Sequence, residues 1–380
     1  MAGRSSGWRP ILGLAEGASL PIGRLAVIGL VAGTAAASFV YAAGWASPAR
    51  LSPATVADAL QVNTGRVFPG FRRAHAKGLC VVGRFESNGQ GEALSKALPF
   101  RAGTTTPVFG RFSTGGGNPF SPDGRVAFHA MALEFRLPDG SQWRTAMDDT
   151  PMFPVGDAES FVALMSATTP DPATRQPDMA KLKPYLAAHP ETVAFLDWMK
   201  RAPLPSSFAN SPYNSIDAFR FTNAPEQVQT VRWSFQPEAP PEAVDKASLD
   251  SLDPDFLFKD FISRVKQAPQ RWRLMITLAS PYDTTDNATI VWPDTDRQVE
   301  VGTLVLDRAI PEDQAAGGPY NCRDVNFDPL VLPSGISASD DPLLPARSSV
   351  YAASYQRRSQ EPPGDSAIDK LADHSRGDTK

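Results

Sequence analysis

The sequence predicts an α+β fold: an antiparallel β-barrel with inserted and C-terminal helices, preceded by one N-terminal transmembrane helix. Three observations carry this. Short runs with alternating apolar residues recur, as in Val231/Trp233/Phe235 and Trp272/Leu274/Ile276/Leu278. Successive side chains of a strand point to opposite faces, so such runs bury one face of a sheet. Helical patterns interrupt them without a strict strand-helix-strand alternation, which argues against a parallel α/β sheet. An uncharged stretch of 21 residues lies near the N-terminus, and about 20 helical residues cross a hydrocarbon core.

In chain order, residues 1–24 carry Arg4, Arg9 and Arg24 against Glu16 alone, a positive bias that holds this segment in the cytoplasm. Residues 25–45 are the anchor, bracketed by Arg24 and Arg50, with Tyr41 and Trp45 where aromatic residues mark an interface. The body is then membrane-anchored and extracytoplasmic, and periplasmic in a bacterium. Two other readings stand beside this. Small residues around Gly44-Trp45-Ala46 suit a signal peptidase, which would release a secreted protein, and the Ala and Gly content also suits a buried core helix.

A Pro-marked connector leads to a short helical pattern with Val56, Leu60 and Val62 as its apolar positions. Strands are expected over residues 79–85, 107–113, 126–137, 215–222, 229–236, 271–279 and 299–307, and helices over 157–168, 179–200, 254–267 and 341–358. Residues 50–358 make one folded body, and the polar residues 359–380 a disordered tail.

Composition narrows the function classes. With 42% hydrophobic and 21% charged residues, the body is an ordinary globular one rather than a disordered or polytopic chain. A net charge of -4 with thinly spread Lys and Arg leaves no basic stripe, so no nucleic-acid partner is expected. Cys80 and Cys322 have neither metal-ligand nor Cys-x-x-Cys spacing. They are expected as buried unpaired thiols, a single disulfide being the alternative if the body is exported.

Of the four histidines, His374 in the tail and His189 in AAHPET are expected to be exposed. His129 alternates within VAFHAMALEFRL and reads as a core or channel residue. His75, in FRRAHAKGLCVVGRF, follows a basic cluster at the entrance of a strand. Far downstream, in DPLLPARSSVYAASYQRR, Arg347 and Tyr351 are four residues apart and share one helix face. Each segment alone is explicable as structure.

Together, with GRFSTGGGNP between them, these segments resemble the catalase superfamily, and in particular the short catalase-related peroxidases, over roughly residues 50–358. The resemblance implies a barrel of the catalase type holding haem b. Tyr351 would be the metal ligand, its phenolate favoured by the iron and by Arg347. His75 would take a proton from peroxide and return it to the departing oxygen, oriented by Ser113. Arg72, Arg111 and Arg358 match positions that bind haem propionates. DDTPMFPVGDAESF places Phe161 over the haem, with Phe112, Phe153 and Phe327 as candidate apolar walls.

Departures from the family pattern refine the expectation. Asp148 stands at the distal amide position, its neighbour Met147 being the alternative alignment. A carboxylate donates no hydrogen bond unless protonated, which moves the expected reaction from disproportionation toward peroxidation. His129 replaces an arginine and Ala130 a glycine. The long C-terminal domain of large catalases is missing, so neither NADPH nor their tetramer is carried over. The resulting expectation is a haem peroxidase in oxidative-stress defence, with weak catalase activity alongside. It would reduce hydrogen peroxide or organic peroxides with a small organic electron donor. The alternatives are a lipid hydroperoxide isomerase similar to allene oxide synthases and a non-catalytic haem-binding module.

Overall fold

The computed structural model describes residues 28–35, 37–38, 51–126, 128–362, 364 and 368. The chain divides into two units, Met1–Leu51 and Ser52–Lys380. In the first, residues 28–35 and 37–38 are helical. The rest of the anchor expected over 25–45 lies outside the described residues. Among the described residues no helix is long and apolar enough to cross a membrane.

The second unit carries β1 (Gly78–Ser87), β2 (Thr105–Thr114), β3 (His129–Arg136), β4 (Gln142–Asp148), β5 (Leu204–Pro205), β6 (Tyr213–Asn214), β7 (Phe219–Thr222), β8 (Val228–Pro237), β9 (Ala243–Val244), β10 (Gln270–Leu278), β11 (Gln298–Pro311) and β12 (Ile336–Ala338). Its helices of ten residues or more are α1 (Pro53–Thr64), α2 (Ala158–Thr168), α3 (Met179–Ala188), α4 (Pro190–Arg201), α5 (Phe256–Gln267) and α6 (Leu343–Ser359), and a single helical turn spans Glu312–Ala315. Eight strands close an antiparallel barrel in the order β10-β11-β1-β2-β3-β4-β6-β8, with β8 returning to β10. β7 and β12 continue the sheet beyond β8, and β5 pairs with β9 in a separate ribbon. Closure leaves no long open edge to pair with another chain.

Alternation explains which side of the wall is core. Leu79, Phe112, Met131, Leu133, Phe135, Trp143, Met147, Trp233 and Trp272 are buried together, each contributing about 1.5–3 kcal/mol of burial. The intervening residues of β1–β4 turn outward and are smaller or polar. They include Cys80, Arg111, Ser113, Ala130, Ala132, Ala146 and Asp148. Helices and loops cover this outer face, and there the site forms.

Several expectations are corrected. The 179–200 helix is two helices, because Pro190 lacks an N–H and starts a new one after His189. β4 was not anticipated: a polar Thr145 on its inner face and an apolar Ala146 on its outer face dilute its alternation. Of the tail expected to be disordered, the described residues 359–362, 364 and 368 adjoin the body. Glu361 pairs with Arg73 and accepts from Gly70 N at 2.8 Å, Arg323 Nη1 donates to Gly364 O at 3.0 Å, and Ile368 is buried in the core. The other tail residues, His374 included, lie outside the described residues. Cys80 and Cys322 are not unpaired thiols but a disulfide, because the outward face of β1 meets the 3₁₀ turn Cys322–Asp324 packed over it.

Candidate active site

His75 sits in the loop entering β1 with a φ of 55°. A non-glycine residue in this left-handed region costs about 1 kcal/mol or more and persists only when its surroundings hold it. Arg111 Nη1 donates to His75 O at 2.7 Å and Nη2 to Ala76 O at 3.1 Å, while Ala76 N donates to Gly116 O at 3.0 Å. The next residue, Lys77, is buried against Asp123 at 2.6 Å and Asp255 at 2.5 Å. Asp123 also accepts from Leu257 N at the start of α5. The loop is thus tied to a strand on one side and a helix on the other.

Ser113 Oγ lies 3.3 Å from His75 Nδ1, and the Phe128 ring meets the imidazole edge-on at 5.5 Å. Burial pushes the His75 pKa from 6.5 down to about 3, helped by the charges of Arg111, Arg72 and Arg347. The imidazole is therefore neutral at ordinary pH.

Strand register places the next group. Ser113 pairs with Ala130, and Ala130 with Asp148, so Ser113 and Asp148 share the outer face with one small residue between them. Met147 points into the core at 2% exposure. Of the two neighbours, Asp148 is the one on the same face as Ser113. Burial, reinforced by Asp149 and Asp217, pushes the Asp148 carboxyl up to about 7 against the pull of Arg347.

Opposite stands α6. Asp341 Oδ1 accepts from Leu343 N at 2.9 Å at its start, and Arg357 and Arg358 occupy the last turn, where cations suit the helix dipole. Arg347 Nη2 is 3.5 Å from Tyr351 Oη and donates to Ala146 O of β4 at 2.8 Å; Nη1 is ion-paired with buried Asp217. Asp217 and Tyr351 hold the Arg347 guanidinium above its ordinary pKa although burial works against it. The Arg347 charge acts on both His75 and Asp148, so the two motifs lie within electrostatic reach of each other.

Arg72 and Arg358 converge from the distal loop and the end of α6. Arg72 Nη2 donates to Cys322 O at 3.1 Å and Val325 O at 2.7 Å; Arg358 Nη2 donates to Arg323 O at 3.2 Å and Val325 O at 3.1 Å. The Nε of each is buried without a partner. Burial and the neighbouring guanidiniums push Arg358 down to about 10 and lower Arg72 as well. Arg111, expected as a third propionate partner, places one N–H of each guanidinium nitrogen on the carbonyls of His75 and Ala76 and on Glu312, 2.5 Å from Nε. It is the clamp of the distal loop.

Phe327 packs with Cys80, Phe109 and Cys322, 5.6 Å from Arg72. Phe153 and Phe161 stack on each other at 6.0 Å. Phe112, expected as a wall, faces into the barrel and stacks on Phe208 at 4.9 Å. His129 is fully buried, its Nδ1 3.1 Å from Asp149. His189 is half-buried rather than exposed, with Glu191 at 2.7 Å and Tyr185 stacked on it at 4.1 Å. Sequence reasoning missed Asp217, Glu312 and Phe128. The one available signal was that an arginine on a buried helix face needs a carboxylate partner.

The catalase family model matches residues 38–361. A catalase-related peroxidase of Synechococcus elongatus is 37% identical over 336 residues, 88% of this chain and 96% of that protein. One from Mycolicibacterium paratuberculosis is 33% identical over 309 residues, 81% of this chain and 95% of its own. A fungal catalase structure superposes with a TM-score of 0.69 at 21% identity, over 77% of this chain and 60% of its own, a likeness of fold.

Proposed function

The chain belongs to the catalase family and is an oxidoreductase acting on peroxide, and on that premise we propose that it holds haem b through Tyr351 and reduces hydrogen peroxide or organic peroxides with a small organic electron donor. The observation that carries this is a neutral His75, fixed by a strained loop and by Ser113, within electrostatic reach of the Arg347–Tyr351 pair.

The residues fit the group. Two guanidiniums with buried, unpartnered Nε atoms suit two propionates. Tyr351 Oη, with Arg347 Nη2 at 3.5 Å, would be the oxygen ligand of ferric iron. Phe153, Phe161 and Phe327 would supply apolar walls. When bound, the haem would take two oxidising equivalents from peroxide and pass them to a donor.

The chain's own residues handle the protons. With Nδ1–H given to Ser113 Oγ, His75 Nε2 is a free base. It takes a proton from one peroxide oxygen and delivers it to the other, which leaves as water. Asp148 tunes this step. At a pKa of about 7 it is partly protonated at neutral pH, and only in that form does it donate a hydrogen bond to peroxide. Peroxidation is the main reaction on this reading, with weak disproportionation growing as the pH falls.

A disulfide in the body supports an oxidising compartment. With residues 25–45 as anchor, or as a signal segment cut near residues 44–46, the enzyme works outside the cytoplasm in defence against peroxide, in the periplasm of a bacterium. The test is the absorption spectrum of the purified, haemin-reconstituted chain, wild type against Tyr351→Phe, followed by turnover of a chromogenic donor with hydrogen peroxide. A ferric high-spin spectrum that changes in Tyr351→Phe, with donor oxidation by wild type, supports the proposal. Haem-loaded protein that oxidises no donor, or a spectrum indifferent to Tyr351, overturns it.

A further inference from the structure

We propose that the Cys80–Cys322 disulfide is a positioning device for the arginines that receive the cofactor's carboxylates, so that the chain keeps an anionic cofactor tightly only while this bond is intact. The inference rests on the haem reading above.

Cys80 lies on β1 directly opposite Arg111 of β2, and Cys322 opens the 3₁₀ turn that ends at Asp324. Both are fully buried. The bond therefore ties the turn to the barrel wall at the strand pair carrying the clamp on His75. The turn in turn supplies acceptors: the carbonyls of Cys322, Arg323 and Val325 take the hydrogen bonds of Arg72 and Arg358. One short segment thus aims two guanidiniums that arrive from opposite ends of the fold.

The electrostatics make that tie necessary. Arg72, Arg111 and Arg358 repel one another; of the carboxylates among them, Glu312 is paired with Arg111 at 2.5 Å and Asp324 belongs to the turn itself. Arg323 also ties the turn, reaching Gly70 O at 3.2 Å and Gly364 O at 3.0 Å in the distal loop and the C-terminal segment. The barrel holds the flanks of the turn through Arg144, which donates to Asn326 O at 2.6 Å, and Arg136, which donates to Pro319 O at 3.1 Å, whereas the disulfide holds the turn itself. Packing of Phe327 on Phe109 keeps the segment near the wall, but apolar contact does not set the direction of a carbonyl. The covalent bond does. Without it the turn shifts with the two arginines it carries, Arg72 and Arg358 move apart under their mutual repulsion, and the paired anion site widens.

Opening the bond takes two electrons and two protons from a dithiol. The S–S bond breaks, two thiols form, and the reductant leaves as its own disulfide. Because both sulfurs are buried, exchange requires local opening of the turn. Cofactor retention then follows the thiol redox state of the compartment.

The experiment uses the full chain, prepared free of haem with the disulfide verified by intact mass. Before and after a dithiol reductant, haemin is titrated by its Soret absorbance, and backbone hydrogen exchange is measured over residues 320–326. Reduction is expected to weaken haemin binding about tenfold or more and to speed exchange in that segment. Cys80→Ser should match reduced wild type and ignore the reductant. A core variant of comparable stability loss, Leu274→Ala, should retain the wild-type affinity, which separates positioning from general loosening. Equal haemin affinity in the verified oxidised and reduced forms overturns the proposal alone. Failure of both forms to bind haemin overturns the functional reading and this inference together. If Cys80→Ser does not fold, reduction of the folded wild type still decides.

Discussion

At the scale of single residues, His75 and Asp148 have pKa values displaced in opposite directions by one cause, burial, which the charge of Arg347 assists at His75 and opposes at Asp148. His75, held at about 3, binds its proton more readily when unfolded. Its contribution to stability is complete above pH 6.5 and declines as the pH falls toward 3. Asp148, raised from 3.8 to about 7, binds its proton more readily when folded, so its contribution is present below 3.8 and declines as the pH rises through 7. Donor oxidation should then show no acid limb from His75 near pH 6.5; a limb there that disappears in His75→Gln would refute the neutral base. His75→Ala should lower kcat about a hundredfold or more while haem stays bound, the usual loss for a general acid–base. Oxygen evolution from hydrogen peroxide should rise as the pH falls through about 7 in wild type and be flat across that range in Asp148→Asn. A wild-type profile already flat there would remove Asp148 from the step. Sequence motifs made His75, Ser113, Arg347 and Tyr351 legible. They left Asp217 and Glu312 hidden, since these lie 130 and 201 residues from their arginine partners and no local pattern marks them.

At the scale of elements, the site is a consequence of strand alternation across β2, β3 and β4. Bulky residues turned inward leave a row of small ones outward, with Ala130 between Ser113 and Asp148 and Ala132 between Arg111 and Ala146. The alternation of β3 is readable in its sequence. Its register against β4 is not, because register depends on the partner strand, and for that reason Met147 and Asp148 could be told apart only in three dimensions. Gly78 shows how tightly this face is packed. A Cβ there would lie 2.0 Å from Arg111 Cζ, and Arg111 cannot swing aside without releasing Glu312 and the His75 carbonyl. Gly78→Ala is therefore expected to lower stability by about 1–3 kcal/mol in urea unfolding and to reduce kcat, because the clamp on the strained loop is displaced. A loss of stability with kcat intact would show that Arg111 does not position His75.

At the scale of the whole molecule, closure of the barrel joins distant parts of the chain: β6, two residues long, bridges β4 and β8, and β8 returns to β10. Strand identity was readable because each inner face is almost wholly apolar, whereas a two-residue strand carries no period to read. The disulfide belongs to this same scale. Its cysteines are separated by 242 positions, so sequence spacing could not reveal the pair, and the composition alone favoured free thiols. A cross-link over so long a loop restricts the unfolded chain strongly, with a typical contribution of about 2–4 kcal/mol. At the usual unfolding entropy per residue, that amounts to about 3–6 °C in Tm for a body of this size. Cofactor-free protein heated with and without a dithiol reductant should differ by that interval. The Cys80→Ser/Cys322→Ser double variant should melt with the reduced form whether or not reductant is present. A coincident pair of melting curves, with free thiols confirmed by mass, would mean that the barrel and its covering turn hold together without the bond.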